Sequence, residues 1–144
     1  MKIYSILFLF FFLSCDFVKT YRENVTSDKE DAEKVTEKFY TFLKQNKKEE
    51  IFKLFNNEFY RATSKKDLDQ IITWAIEEGK ISSKHVLIDW KTHVEKGTDA
   101  KSEYLLTYNV QRGKIKTEEI FTLTKDQDDN IKIKGYRLNL ENTE

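Results

Sequence analysis

The chain has 144 residues, 25 basic and 25 acidic side chains, and no proline. Without a basic surplus it has little means of releasing counterions from a phosphate backbone, which disfavours nucleic acid as a partner. Its four glycines are too dispersed for a phosphate-cradling loop, and no serine stands in a nucleophile-elbow context. Charged residues at 35% describe a well-solvated surface around regular elements.

Lys2 gives a positive start, and Ile3 to Leu13 form an apolar run with Ser5 as its one aliphatic polar interruption. A spanning helix needs roughly 20 apolar residues, so this run is too short to cross a bilayer and has the proportions of a leader. Leu13-Ser14-Cys15 closes it with the only cysteine in the chain. The stretch resembles a bacterial lipoprotein signal peptide: Ser14 is the small residue wanted before the cysteine, while Phe12 and Leu13 depart from the pattern. The resemblance implies cleavage before Cys15 and lipidation, with palmitate among the acyl groups, so that membrane lipid becomes a partner through Cys15. It also implies residence at the cell membrane or outer membrane, facing the periplasm or exterior. Two or three acyl chains, at about 0.8 kcal/mol per buried methylene, hold a protein stably where one does not. A lone cysteine in an exported protein either pairs with another molecule or is consumed by modification, which agrees. An ordinary secretory leader with an incidental cysteine is the alternative.

Residues 16–26 show no sustained period and read as a tether, giving a division into leader 1–14, lipidated tether 15–26 and folded domain 27–144. Ser27-Asp28-Lys29-Glu30 has the form of a capping box. Behind it Ala32, Val35, Phe39, Phe42 and Leu43 recur at helical spacing, and a second helix after Asn46 carries Ile51, Leu54 and Phe55 on its apolar side. Phe59 to Ala62 reads as a short extended piece. Ser64 caps a third helix with a stripe of Leu68, Ile71, Ile72, Ala75 and Ile76, and Gly79 is expected as a left-handed stop.

From residue 80 the period changes from 3.6 to 2. Val86, Ile88, Trp90, Thr92 and Val94 are expected on the buried face of a strand, with His85, Asp89 and His93 on the other. Lys96 to Asp99 turns the chain. Tyr104, Leu106, Tyr108 and Val110 form the next inward set, Arg112-Gly113-Lys114 a tight connection, and Phe121 and Leu123 mark the following strand. In the last strand the parity shifts between Ile131/Ile133 and Tyr136/Leu138, which predicts a bulge at Gly135.

The expected fold class is therefore α+β: three N-terminal helices packed against a curved four-stranded antiparallel sheet. That order, with the Phe39 to Leu43 opening, the Gly79-Lys80-Ile81 exit and the Ile131 to Leu138 ending, resembles the nuclear transport factor 2-like cone, also called the cystatin-like fold. The resemblance covers about residues 28–140 and implies a pocket between sheet and helices. It implies no single function, since such cones host isomerases, dehydratases and many non-catalytic binding modules.

His85, Asp89 and His93 have metal-ligand types at four-residue spacing, yet on a strand neighbours in this set stand roughly 13 Å apart, too far to share one zinc. No metal and no cofactor is expected. Asp89 with Tyr104 and Tyr108 has the residue types of a proton-transfer site, but Asp89 is expected to face solvent, where burial cannot tune it. Trp74, Trp90, Tyr108 and Phe121 are candidates to line an apolar cavity, with ordinary core packing as the competing explanation. The functional expectation is a membrane-anchored, non-catalytic binding or protein-interaction domain at the cell envelope. A protein partner or small apolar ligand, or a second copy through the sheet, would be bound; an isomerase or dehydratase on the same cone is the alternative.

Overall fold

A computed structural model describes residues 20–79, 83–97 and 100–141; Cys15, the leader, Lys80-Ile81 and Thr98-Asp99 lie outside these. The described residues form an α+β fold, with four helices and one five-stranded antiparallel sheet. In order the elements are β1 (Thr20–Glu23), α1 (Thr26–Lys44), α2 (Lys48–Phe52), α3 (Asn57–Ala62) and α4 (Lys65–Gly79). They are followed by β2 (Ser83–Lys96), β3 (Lys101–Arg112), β4 (Ile115–Lys125) and β5 (Ile131–Leu140). The sheet order is β1-β2-β3-β4-β5, so each strand pairs with its numerical neighbours.

The extra strand comes from the segment expected as a tether. Thr20–Glu23 pairs with the far end of β2, Glu23 opposite His93 and Thr20 opposite Lys96. Asn24 then takes a left-handed φ of 51° and engages both backbone groups of one residue: its N–H donates to the Thr92 carbonyl and its Oδ1 accepts from the Thr92 N–H. Asparagine tolerates that conformation better than most side chains. The helix consequently starts earlier than the capping box predicts. Val25 occupies the cap position without a side-chain cap, Ser27 falls inside the first turn, and Asp28 turns to Arg22 instead.

Helix α1 buries Ala32, Thr36, Phe39, Tyr40 and Leu43, a stripe one side wide. It ends in a Schellman closure, with Asn46 at φ 54° donating to the Leu43 carbonyl and Lys47 donating to that of Phe42. Phe59 to Ala62, expected to be extended, is helical. Asn56 caps α3 by accepting from the Phe59 N–H at 2.9 Å, a signal masked in sequence by the short apolar run. Its own N–H reaches the Ile133 carbonyl, whose residue donates back to Leu54, so α2 and α3 are stitched to β5. Ser64 caps α4 as expected, accepting from the Asp67 N–H at 3.1 Å. Gly79 stays inside α4 and does not adopt the left-handed stop.

In β2 the parity changes within the strand. Leu87 pairs with Tyr108 and Asp89 with Thr107, so Ile88 is an extra residue. Trp90, Thr92 and Val94 turn inward as expected, but Val86 and Ile88 are 47% and 49% exposed, and His85 faces the helices in their place. The bulge expected at Gly135 is present: Thr122 faces Gly135 while Leu123 faces Ile133, leaving Lys134 unpaired in the count. The β3–β4 connection is only Gly113-Lys114, with Gly113 at φ 56°; Arg112 is the last paired residue of β3, opposite Ile115.

All helices lie over one face of the sheet. There Phe39 meets Phe121 at 5.1 Å and Tyr136 at 5.2 Å between ring centroids, mostly edge-on or tilted, as ring quadrupoles favour. Leu106, Leu123, Ile133, Ile51, Leu68 and Ile72 fill the space around them and are fully buried.

Candidate functional site

The inward register of β3 runs Tyr104, Leu106, Tyr108, Val110 and then Arg112; that of β4 runs Thr117, Glu119, Phe121 and Leu123. Two charged residues thus occupy positions that strand alternation reserves for the core. Arg112 and Glu119 are 1% and 0% exposed and form an ion pair through Arg112 Nη1 and Glu119 Oε1. Thr117 Oγ1 donates to the same oxygen at 3.0 Å and accepts from Arg112 Nη1 at 3.2 Å. The second carboxylate oxygen accepts from the Tyr136 hydroxyl at 2.8 Å and from the Tyr40 hydroxyl at 3.1 Å. The guanidinium lies 5.8 Å from the Trp74 ring centre, and its Nη2 is buried without a hydrogen-bond partner.

The electrostatics follow from burial. Withdrawal from water pushes the Tyr40 phenol well above its ordinary range, and the neighbouring Glu119 charge adds to the shift. The same two causes, in the same order, raise Tyr136. For Arg112 burial opposes the charge, but the hydrogen bond and attraction from Glu119 outweigh it, and the net shift is upward. Both phenols therefore remain donors, and the carboxylate accepts from four groups. A carboxylate so filled, with no access for solvent, has no lone pair to offer a substrate.

The expected site residues do not converge on one cavity. Tyr108 and Phe121 are 1% and 0% exposed, in edge contact with each other, and belong to the packed core. Tyr108 shares a 2.6 Å hydrogen bond with Thr36 of α1, and burial raises its phenol to about 12. Trp74 sits beside Arg112; Trp90, half-buried, lies under the Lys29 ammonium and pairs with Leu106, six positions from Arg112 along β3. Six strand residues span about 20 Å, so the two indoles stand against different stretches of β3. Asp89 is exposed, as the alternation predicts, and Tyr104 is buried.

His85 and His93 part company because of the Ile88 bulge. His85 stacks on Tyr40 at 3.9 Å and 15° and meets Glu37 at 2.8 Å, which corrects its expected place on the outer face. His93 does lie on that face, between Glu23 at 3.3 Å and Glu95 at 2.9 Å. Among the described residues no group of three or more His, Cys, Asp or Glu is placed to hold a metal ion, and no helix is long and apolar enough to cross a membrane.

The face of the sheet away from the helices carries Val86, Leu105, Thr107, Ile120 and Thr122, with no element of the described residues laid over it. A groove of ≈ 400 Å³ opens on it, lined in part by Glu23, Lys91, His93, Glu103, Leu105 and Thr122. In the sequence Arg112 reads as part of the tight connection and Glu119 carries no signal of its own; that both stand in the inward register emerges once the strands are paired. Compared with family models, with curated proteins and with solved structures, the chain finds no match.

Proposed function

We propose that this chain is a lipoprotein held at the cell envelope through Cys15, in the cell membrane or outer membrane. Its domain, a nuclear transport factor 2-like cone, is a non-catalytic module that binds a protein partner. The observation that carries the binding reading is the asymmetry of the sheet: one face is packed under the four described helices, while the uncovered side presents exposed Val86 and Ile88, with Leu105 and Ile120 partly buried on the same face. Exposed apolar side chains grouped on one face favour contact with another macromolecule. A small apolar ligand inside the cone is less favoured, since Phe39, Tyr108, Phe121 and Tyr136 occupy the space between helices and sheet. An isomerase or dehydratase is less favoured still, because the interior carboxylate is already fully engaged.

Two measurements test the proposal. A photo-crosslinking side chain placed at Ile88 or Thr107 in intact cells should give a discrete protein adduct, whereas one at Lys38 on the outer side of α1 should not. Equal labelling from both faces, or none from the sheet, overturns the binding reading; an adduct at twice the chain mass assigns a second copy as the partner. For the anchor, a fatty-acid analogue should label the wild type and fail to label Cys15→Ala. Label retained by the variant removes Cys15 as the lipid site.

A further inference from the structure

The strand β1 is joined to the rest of the molecule by a titratable bridge. Glu23 of β1 stands opposite His93 of β2, and its Oε1 lies 3.3 Å from the His93 Nδ1. The other ring nitrogen, Nε2, lies 2.9 Å from Glu95 Oε1. Each ring nitrogen therefore faces a carboxylate. A neutral imidazole carries one N–H and can donate to only one of them; the imidazolium donates to both. The Tyr21 ring of β1 stacks on the imidazole at 6.2 Å and 24°.

We propose that β1 is a strap whose hold on β2 is set by the protonation of His93, the imidazolium drawing Glu23 and Glu95 together and the strap loosening when the proton is lost. The strand is suited to this. It is four residues long, all exposed, and it pairs with the sheet along one edge only. Its C-terminal end is also held by the Asn24 to Thr92 hydrogen bonds and by the Arg22 to Asp28 pair at 2.7 Å. Full release begins at Thr20, parts the Arg22 to Asp28 pair and ends at Asn24, whose left-handed φ of 51° makes it the corner about which the strand turns.

The surroundings of His93 set the direction. Besides Glu23, Tyr21 and Glu95, the groups facing this patch are Glu103 on β3, opposite His93 in register, Lys91 two residues back on β2, and Lys101 opposite Glu95. Three carboxylates against two ammonium groups favour the charged ring. The hydrogen bond to Glu95 raises the imidazole above its ordinary value, burial opposes it, and the hydrogen bond to Glu23 adds to the rise, leaving a net upward shift. A group raised on folding contributes fully below its unfolded value, about 6.5, and its contribution disappears as pH climbs through the folded value. The strap is consequently tight in mild acid and loose in mild alkali.

One consequence rests on the Cys15 anchor of the proposed function. With β1 docked, residues 16–19 separate Cys15 from the first paired residue; with β1 released, residues 16–23 do. At about 3.3–3.6 Å per extended residue the added reach is on the order of 13 Å, so pH would set how far the domain stands from the bilayer.

The test is amide hydrogen exchange on the full chain in detergent micelles at pH 5.5 and pH 8.5, each rate normalised to that of an unstructured chain at the same pH. In the wild type Thr20 to Glu23 should be about two- to fivefold better protected at the lower pH, the range open to exposed ion pairs. In His93→Gln that difference should vanish while β3 amides such as Leu106 keep their protection. No pH difference in the wild type, or the same difference in His93→Gln, overturns the strap. As a second readout, the His93 titration followed by NMR should move down in Glu23→Gln; an unmoved titration also overturns it. Cys15→Ala should leave the exchange pattern unchanged, so failure of the anchor and failure of the strap are told apart.

Discussion

Arg112 and Glu119 form an ion pair sealed from solvent, seven residues apart in sequence and brought together by the Gly113-Lys114 turn. Desolvating two charges is costly, and removing either partner leaves the other buried and unpaired. Glu119→Ala and Arg112→Ala should each lose about 3–5 kcal/mol of stability, read from urea unfolding midpoints. The double replacement Arg112→Met with Glu119→Leu should cost clearly less than the two single losses added, because no lone charge remains. Simple additivity would mean that the two side chains do not act as a unit.

The buried phenols give a second expectation. Tyr40 and Tyr136 are raised well above the ordinary tyrosine range, chiefly by burial, and Tyr108 to about 12. In the unfolded chain a phenol loses its proton near about 10, so above that pH the folded state binds more protons than the unfolded one. Stability should therefore fall as pH rises from about 10 towards about 12. The phenolate absorbance of these tyrosines should grow in step with loss of far-ultraviolet ellipticity. Ionisation of the buried rings while the ellipticity persists would contradict their burial.

The bulge at Ile88 leaves exposed two residues, Val86 and Ile88, that alternation alone treats as core. Val86→Thr and Ile88→Asn should shift stability by no more than about 0.5 kcal/mol, the usual range for exposed positions. Leu106→Ala, at the fully buried partner of Trp90, should cost about 2–5 kcal/mol in the same urea titration. Equal losses at Ile88 and Leu106 would place Ile88 in the core.

Asn56 holds the start of α3 with its side chain and β5 with its backbone. Asn56→Ala removes only the cap and should cost about 1 kcal/mol, whereas Asn56→Asp should retain most of it. A neutral Asn56→Ala result in thermal melts would show that the backbone link to Ile133 positions α3 unaided.

Much of the architecture was legible because period is local. The stripes of α1 and α4, the Ser64 cap, the inward set Tyr104 to Val110 and the bulge beside Gly135 all follow from which side chains are apolar at spacings of 3.6 or 2. Local signals also misled. Ser27 to Glu30 offers a capping box that the chain leaves unused, because Asn24 is held by Thr92, far along the sequence. Phe59 and Tyr60 have strand-like composition but sit in a helix capped by Asn56 and stitched to β5. Of the site, Arg112 reads from the sequence as a turn residue, and its ion pair with Glu119 required the β3–β4 hairpin.

By itself the amino-acid sequence determined the class, helices first and an antiparallel sheet after, since helical and strand faces are written into spacing along the chain. It also determined which faces of β3 and β4 turn inward. Only the tertiary structure decided that Thr20–Glu23 is a strand, that Ile88 is squeezed out, and that His85 packs on Tyr40 while His93 bridges Glu23 and Glu95. These depend on register between residues tens of positions apart: an edge strand takes its hydrogen bonds from a partner that no local pattern names, and one extra residue in that partner reverses which side of the sheet each following side chain faces.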